Sequence, residues 1–267
     1  MINFQYVRTS VLKTALGLIN KDKNATFIAG GTNLVDLMKK GVSAPEKLID
    51  INPLPLKDIQ FNNNTLQIGA LASNSAVAEH KIIKDKFPLL ALAINAGASA
   101  QLRNMASTGG NLMQRTRCPY FFDTTMPCNK RQPNSGCAAI GGYNRMHAIF
   151  GTSEACIAVH PSDMCVGLAA LDAKVRIAGA KGERTINFTD FHRLAGDTPE
   201  KDNNLQNGEL ILGIEIPVNN FHKNYHYLKV RDRSSYAFAL ISVAVALELK
   251  DNLINDVRLA MGGVAHK

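Results

Sequence analysis

Ala25-Thr26-Phe27-Ile28-Ala29-Gly30-Gly31-Thr32-Asn33-Leu34 is the stretch on which the reading of this chain turns. Ala25 to Ala29 is a short apolar run bounded by polar residues, which predicts a buried strand. Two glycines break it, and Leu34 to Lys40 then carries helical spacing closed by Gly41. Lys47 to Ile51 predicts a further strand, ended by Asn52-Pro53. A β–loop–α–β unit of this kind commonly delivers a phosphate site at its loop. Glycines let the backbone approach a ligand, and a row of amides at a helix start favours an anion. Thr32 and Asn33 add a hydroxyl and a carboxamide. The loop lacks the lysine of a P-loop and the spacing of a Rossmann fingerprint, so taken alone a tight structural turn explains it equally well.

Upstream, Ser10 is placed to cap a helix with Val11, Leu12, Ala15, Leu16 and Ile19 on its apolar face. Downstream, Thr65 to Leu71 reads as a strand, Ser73 to Ile83 as a helix and Phe87 to Ala98 as a buried helix. A second glycine-rich turn follows, Ser107-Thr108-Gly109-Gly110-Asn111. Two such loops can close on one diphosphate from opposite sides, which points to a dinucleotide without separating FAD from NAD. Met164 to Leu171 reads as a helix, with strands at Lys174 to Ala178 and Leu210 to Ile216. His226 to Val230, Tyr236 to Leu249 and Leu253 to Met261 then alternate without intervening helices, predicting a separate antiparallel piece.

The length of 267 residues allows two or three subdomains. With 46% apolar and 19% charged residues the chain has a globular composition. Its net charge of +8 comes from scattered Lys and Arg, without the motifs of a nucleic-acid binder; a docking face for an acidic partner fits better. The longest apolar run, Phe238 to Leu249, is too short for a membrane span, so no membrane insertion is expected. Met1 to Ser10 has no apolar signal core. The chain is therefore expected to be cytoplasmic, or periplasmic through export with a signal-bearing partner.

All five cysteines fall between Cys118 and Cys165. Thr116 to about Tyr143 is poor in aliphatic residues and rich in Pro, Gly and Asn, and a loop that long needs a function or a staple. Four thiolates on a metal would order it, and Arg115, Arg117, Lys130 and Arg131 would offset their charge. Cys118, Cys128, Cys137 and Cys156 are separated by nine, eight and eighteen residues, unlike the compact pairs of zinc fingers or bacterial ferredoxins. An iron–sulfur centre, a four-thiolate zinc, and disulfides or inert buried cysteines all remain open, with His147 and His160 as possible substitute ligands. Cys165 lies in an apolar run and reads as a small buried thiol.

With these features placed, the chain resembles the FAD-binding medium subunits of the xanthine dehydrogenase and aldehyde oxidoreductase family, in particular the bacterial type with an extra [4Fe–4S] cluster. The resemblance rests on Phe27 to Leu34, on Gln101-Leu102-Arg103-Asn104 with Thr108 to Leu112, and on the cysteine segments. His160-Pro161-Ser162-Asp163 and Lys229 to Arg233 complete it. It implies an α+β, two-subdomain flavin-binding fold of the PCMH type over residues 1–220, split at about residue 55, with an iron–sulfur insert at 116–157. An incomplete α/β domain of the CO dehydrogenase flavoprotein type would follow at 221–267, since family members continue beyond the matched end. It implies that Phe27, Ile28, Ala29, Gly30, Gly31, Thr32, Asn33 and Leu34 wrap the FAD diphosphate. Ser107, Thr108, Gly110 and Asn111 would hold the phosphate and ribitol region, Asp163 a sugar or ribityl hydroxyl, with Ile211 and Lys229 near the flavin. Cys118, Cys128, Cys137 and Cys156 would ligate the cluster.

The activity implied is electron transfer. Organic substrate would react at a molybdenum cofactor in a large subunit, and electrons would pass through a small [2Fe–2S] subunit to the flavin and on to a terminal acceptor. No catalytic residue is therefore expected in this chain. A flavin subunit of a 4-hydroxybenzoyl-CoA reductase-like enzyme and a non-catalytic zinc-stapled scaffold are the alternatives.

Overall fold

The computed structural model describes residues Met1 to Lys267. The first unit contains β1 (Gln5–Arg8), α1 (Leu12–Lys21), β2 (Ala25–Ile28), α2 (Leu34–Lys39) and β3 (Lys47–Asp50). Its strands form a parallel sheet in the order β1-β3-β2. Ala15 of α1 packs on Ala25, Ile49 and Ile51, so the apolar spacing of the helix is spent on the sheet. The expected Ser10 cap is not made. Val11 occupies the capping position without a side-chain bond, and its amide donates instead to Thr9 Oγ1 at 3.2 Å. Leu71 and Leu210 join this core from the next unit, which fixes the two units against each other.

The second unit opens with the hairpin β4 (Ile59–Asn62) and β5 (Thr65–Gly69). Short helices follow: α3 (Asn74–Glu79), α4 (Lys81–Lys86), α5 (Pro88–Ala96), α6 (Ala100–Met105), α7 (Thr108–Leu112) and α8 (Pro119–Phe122). After the insert come α9 (Asp163–Ala170), β6 (Lys174–Gly179), β7 (Gly182–Asn187) and β8 (Leu210–Pro217). The five strands pair antiparallel in the order β4-β5-β8-β6-β7. The single helix expected from Ser73 to Ile83 is two. His80 adopts an extended backbone that ends α3 and starts α4, and the bend delivers Ile83 fully buried to the core. Leu66, Ile68, Leu89, Leu90, Leu168 and Val175 belong to one large core between sheet and helices. Gly167 lets α9 close on α5, because a Cβ there would sit 3.0 Å from the Ala93 methyl.

The last unit is the antiparallel sheet β9 (Asn224–Val230), β10 (Ile241–Lys250) and β11 (Leu253–Gly262), with β10 central. The strand expected from Tyr236 begins only at Ile241, because Tyr236 sits at φ +52° and cannot continue an extended run. The small residues Ala244 and Ala246, with Tyr227, form the inner face that joins the main core. The opposite face carries Leu228, Val230, Val257, Leu259 and Met261, all exposed. Inverted in this way, the sheet spends its small residues on contact and shows its large apolar ones. No helix of the chain is long and apolar enough to cross a membrane.

Candidate cofactor cavity and cysteine centre

The strand β2 ends at Ile28 and α2 begins at Leu34, so the loop between them projects from the edge of the first sheet. The amides of Gly30, Gly31, Thr32, Asn33 and Leu34 find no backbone acceptor. Such a run of free donors at a helix start is the chemistry an anion needs. Gly31 takes φ +71°, a conformation that favours glycine, and a Cβ on Gly30 would overlap the Met105 carbonyl. The end of α6 is therefore pressed against the first loop. Asn33 ties the two together further along, its Oδ1 accepting from the Arg115 amide at 3.3 Å.

A cavity of about 520 Å³ opens over this loop. Phe27, Ile28, Ala29, Gly30, Gly31, Thr32, Asn33 and Leu34 line it, together with Ser107, Gly110 and Ile211. The second glycine segment differs from the first. It is the helix α7, with Ser107 as its cap accepting from the Gly110 amide at 3.2 Å. The Thr108 amide donates to Ala72 O, the Gly109 amide to Ala70 O and the Asn111 amide to Ser107 O. The expectation of two equivalent amide-lined loops is therefore corrected: the anion-ready donors belong to the first loop, and the second shapes the wall.

Four expected cofactor residues lie off this cavity. Thr108 is fully buried and donates its hydroxyl to Ala72 O at 3.0 Å. Asn111 accepts from the Ser162 hydroxyl at 2.6 Å and from the Gln114 carboxamide. Asp163 and Lys229 form a buried ion pair at 2.8 Å; the ammonium also donates to Ala96 O, and the carboxylate accepts from Tyr227 OH at 2.7 Å. Burial, then the Asp163 charge, pushes the Tyr227 phenol well above its usual range. Asp163 borders a separate, smaller cleft of about 50 Å³ shared with Cys118, His147 and Phe238. Ser162, and not Asp163, caps α9, accepting from the Cys165 amide at 3.2 Å.

Two lining elements went unread in the sequence. Leu205 to Glu209 lines the cavity, and Asn207-Gly208 is the turn signal that marks it. Arg115 also lines the cavity, although its position beside the cysteines pointed only to charge compensation. Its guanidinium lies over the Phe121 ring and its Nε donates to Asp202 at 2.6 Å.

The insert is irregular apart from α8 and turns, as its composition requires. Cys118, Cys128, Cys137 and Cys156 all face one small pocket, and none forms a disulfide. A lone antiparallel bridge pairs Cys128 with Cys137. Burial pushes the Cys118 thiol up to about 11, against the opposing pull of the Phe121 and Tyr120 amides, and raises Cys156 in the same way. Lys130, almost fully buried, borders the pocket and donates to Asp202 at 2.6 Å and to Pro199 O at 2.7 Å. Burial alone would raise the Asp202 carboxyl. The His266 hydrogen bond and the Arg115 and Lys130 charges outweigh it and hold the group far below the carboxylate range. Asp202 thus joins a cation of the large cavity to a cation of the cysteine pocket.

Across the chain, the one trio of His, Cys, Asp or Glu ligand atoms mutually within 4.8 Å is His160, Cys165 and His192. No three of the four insert sulfurs come that close. The two imidazoles of that trio lie with centroids 4.1 Å apart and planes tilted by 43°, and burial drives both rings toward the neutral form, His192 to about 4. The Cys165 thiol, pushed to about 12 by burial, belongs to the main core.

A sheet-edge loop of free amides under a cavity of this size, beside a pocket of four thiols, is the geometry of a dinucleotide-binding protein. Residues 2–219 match the family described as the FAD binding domain in molybdopterin dehydrogenase, and residues 225–267 match the CO dehydrogenase flavoprotein C-terminal domain. The chain belongs to this family of FAD-binding oxidoreductase subunits. It is 48% identical to the aldehyde oxidoreductase FAD-binding subunit PaoB of Escherichia coli K12, over 99% of this chain and 82% of that one. The glyceraldehyde dehydrogenase medium chain of Sulfolobus acidocaldarius is 32% identical, over 99% and 76% respectively. Among solved structures, a carbon monoxide dehydrogenase of Hydrogenophaga pseudoflava shares the fold with a TM-score of 0.74 at 23% identity, covering 99% of this chain and 78% of that chain.

Proposed function

We propose that this chain is the FAD- and [4Fe–4S]-bearing electron-transfer subunit of a molybdenum enzyme that oxidises aldehydes to carboxylic acids. The observation that carries the reading is the pairing of the free amides at Gly30 to Leu34 with four unbridged cysteines on one pocket. The substrate class is supported by similarity to an aldehyde oxidoreductase subunit and to a glyceraldehyde dehydrogenase chain. The partners are a large molybdenum-cofactor subunit and a small [2Fe–2S] subunit, with a terminal acceptor beyond.

The Gly30–Leu34 amides would donate to the FAD diphosphate, and Arg115 at the same cavity adds a positive field. Leu210 and Ile211 supply an apolar wall. When bound, FAD takes up electrons singly and releases them singly or in pairs, which suits a subunit between one-electron iron–sulfur carriers and a final acceptor. Cys118, Cys128, Cys137 and Cys156 would be the cluster ligands, giving up their thiol protons on binding. Tetrahedral zinc with bonds of about 2.3 Å holds its sulfurs about 3.8 Å apart. No three of the four sulfurs here lie mutually within 4.8 Å, an arrangement wider than a closed zinc site and open to a polynuclear centre. Lys130 borders the pocket as a buried cation against the thiolate charge.

Protein purified without air tests this by its flavin, iron and zinc content. One FAD and about four iron per chain, the content of a single [4Fe–4S] centre, are expected. Zinc in place of iron would remove the cluster assignment.

A further inference from the structure

The His147 Nε2 lies 3.1 Å from Cys118 Sγ. Its other ring nitrogen, Nδ1, is buried and has no hydrogen-bond partner. These two facts fix the proton. A metal-bound cysteine is a thiolate and brings no hydrogen to the contact, so the hydrogen must sit on Nε2. That leaves Nδ1 as a bare acceptor, and a buried acceptor without a partner is better tolerated than a buried N–H without one. The ring is also a partition: His147 and Cys118 border both the cysteine pocket and the smaller cleft at Asp163 and Phe238.

The four sulfurs are unequal in this respect. Cys118 meets the imidazole, the one side-chain donor at any of the four sulfurs, and Cys156 accepts from the Ala158 amide at 3.4 Å. Neither Cys128 nor Cys137 receives a hydrogen bond at its sulfur from a side chain or a backbone amide. Each N–H···S bond withdraws charge from a ligand sulfur and so stabilises the reduced, more negative state of the centre it holds.

We propose that His147 is a positioning residue for the cysteine-bound centre: its Nε2–H donates to Cys118, holds that sulfur in place and raises the reduction potential of the cluster. The inference rests on the [4Fe–4S] assignment above and adds to it which corner carries the excess charge and which side chain sets it.

The test is a redox titration, followed by electron paramagnetic resonance, of the full chain with the subunits it purifies with. His147→Phe keeps the bulk of the ring and removes the donor, and His147→Gln restores a donor. The expected result is about four iron per chain in all three proteins, a midpoint shifted to more negative potential in His147→Phe, and a partial return in His147→Gln. An unchanged midpoint with iron intact would overturn the proposal. So would a three-iron signal in His147→Phe, since that makes the imidazole a ligand and not a donor to one. Wild-type protein without iron would defeat the cluster assignment itself, an outcome distinct from either.

Discussion

Around Gly30 to Leu34 the backbone is held from every side: β2 sits in a parallel sheet, α2 follows at once, and the Met105 carbonyl rests against Gly30. Around Cys118 to Cys156 there is one four-residue helix, two lone strand bridges and two local clusters of three buried residues each. The first region is finished by the fold and offers its amides to a ligand. The second has little of its own to order it beyond Lys130, Arg131 and the four thiols. One site is a by-product of secondary structure, while the other, on the proposed cluster assignment, would take much of its order from its ligand.

Exchanging single residues should separate the two most sharply. Gly30→Val drives a side chain into the Met105 carbonyl, and the protein should be isolated without flavin yet with its iron. Cys128→Ser should do the reverse, losing iron and exposing residues 116–157 to limited proteolysis while flavin is retained. Flavin absorbance, iron content and cleavage mapping read both. If each variant lost both cofactors, the two regions would be one folding unit and the contrast would fail.

A smaller but still large effect is expected at the link between them. Asp202→Asn leaves Lys130 buried with an unpaired charge, which costs about 3–5 kcal/mol; urea denaturation should show the loss. Lys130→Met combined with Asp202→Asn should recover part of it, because the uncompensated cation is then gone.

Next comes a pH effect at the adjoining histidines His160 and His192. The His192 ring, with Nε2 on Leu112 O at 2.9 Å, is held at about 4 by burial, against an ordinary 6.5. The unfolded chain therefore takes up the proton first as pH falls below 6.5. Stability is complete above that value and declines toward pH 4 by roughly 3 kcal/mol. His192→Phe should flatten the fall of Tm across this window, with His160, shifted in the same direction, supplying what remains.

The smallest effect belongs to the cap of α9. Ser162→Ala removes an acceptor for the Cys165 amide and a donor to Asn111, and about 1 kcal/mol should be lost in the same denaturation assay.

The legible parts of the sequence were those where one local rule decides the outcome. The glycine loop at Gly30, the helix at Leu34 and the apolar helix at Pro88 were read from spacing and breakers alone. So was the coreless insert, from its lack of aliphatic residues. β7 (Gly182–Asn187) was not read, because an exposed edge strand of Gly, Glu, Arg, Thr and Asn carries no apolar alternation. The break at His80 was invisible, since nothing in that residue forbids helix; tertiary burial of Ile83 decides it. The glycines of the second loop looked like those of the first, yet their role there is close approach, with the Gly109 amide given to Ala70. Asp163 and Lys229 carried separate expectations, and only the fold shows them joined in one ion pair 66 residues apart in sequence.

Crystals of the protein grown without air, with diffraction recorded on both sides of the iron absorption edge, test the account most directly. Compact iron density bounded by Cys118, Cys128, Cys137 and Cys156 is expected, with a diphosphate lying on the amides of Gly30 to Leu34. Iron density absent from the four sulfurs, or a diphosphate seated away from that loop, would contradict it.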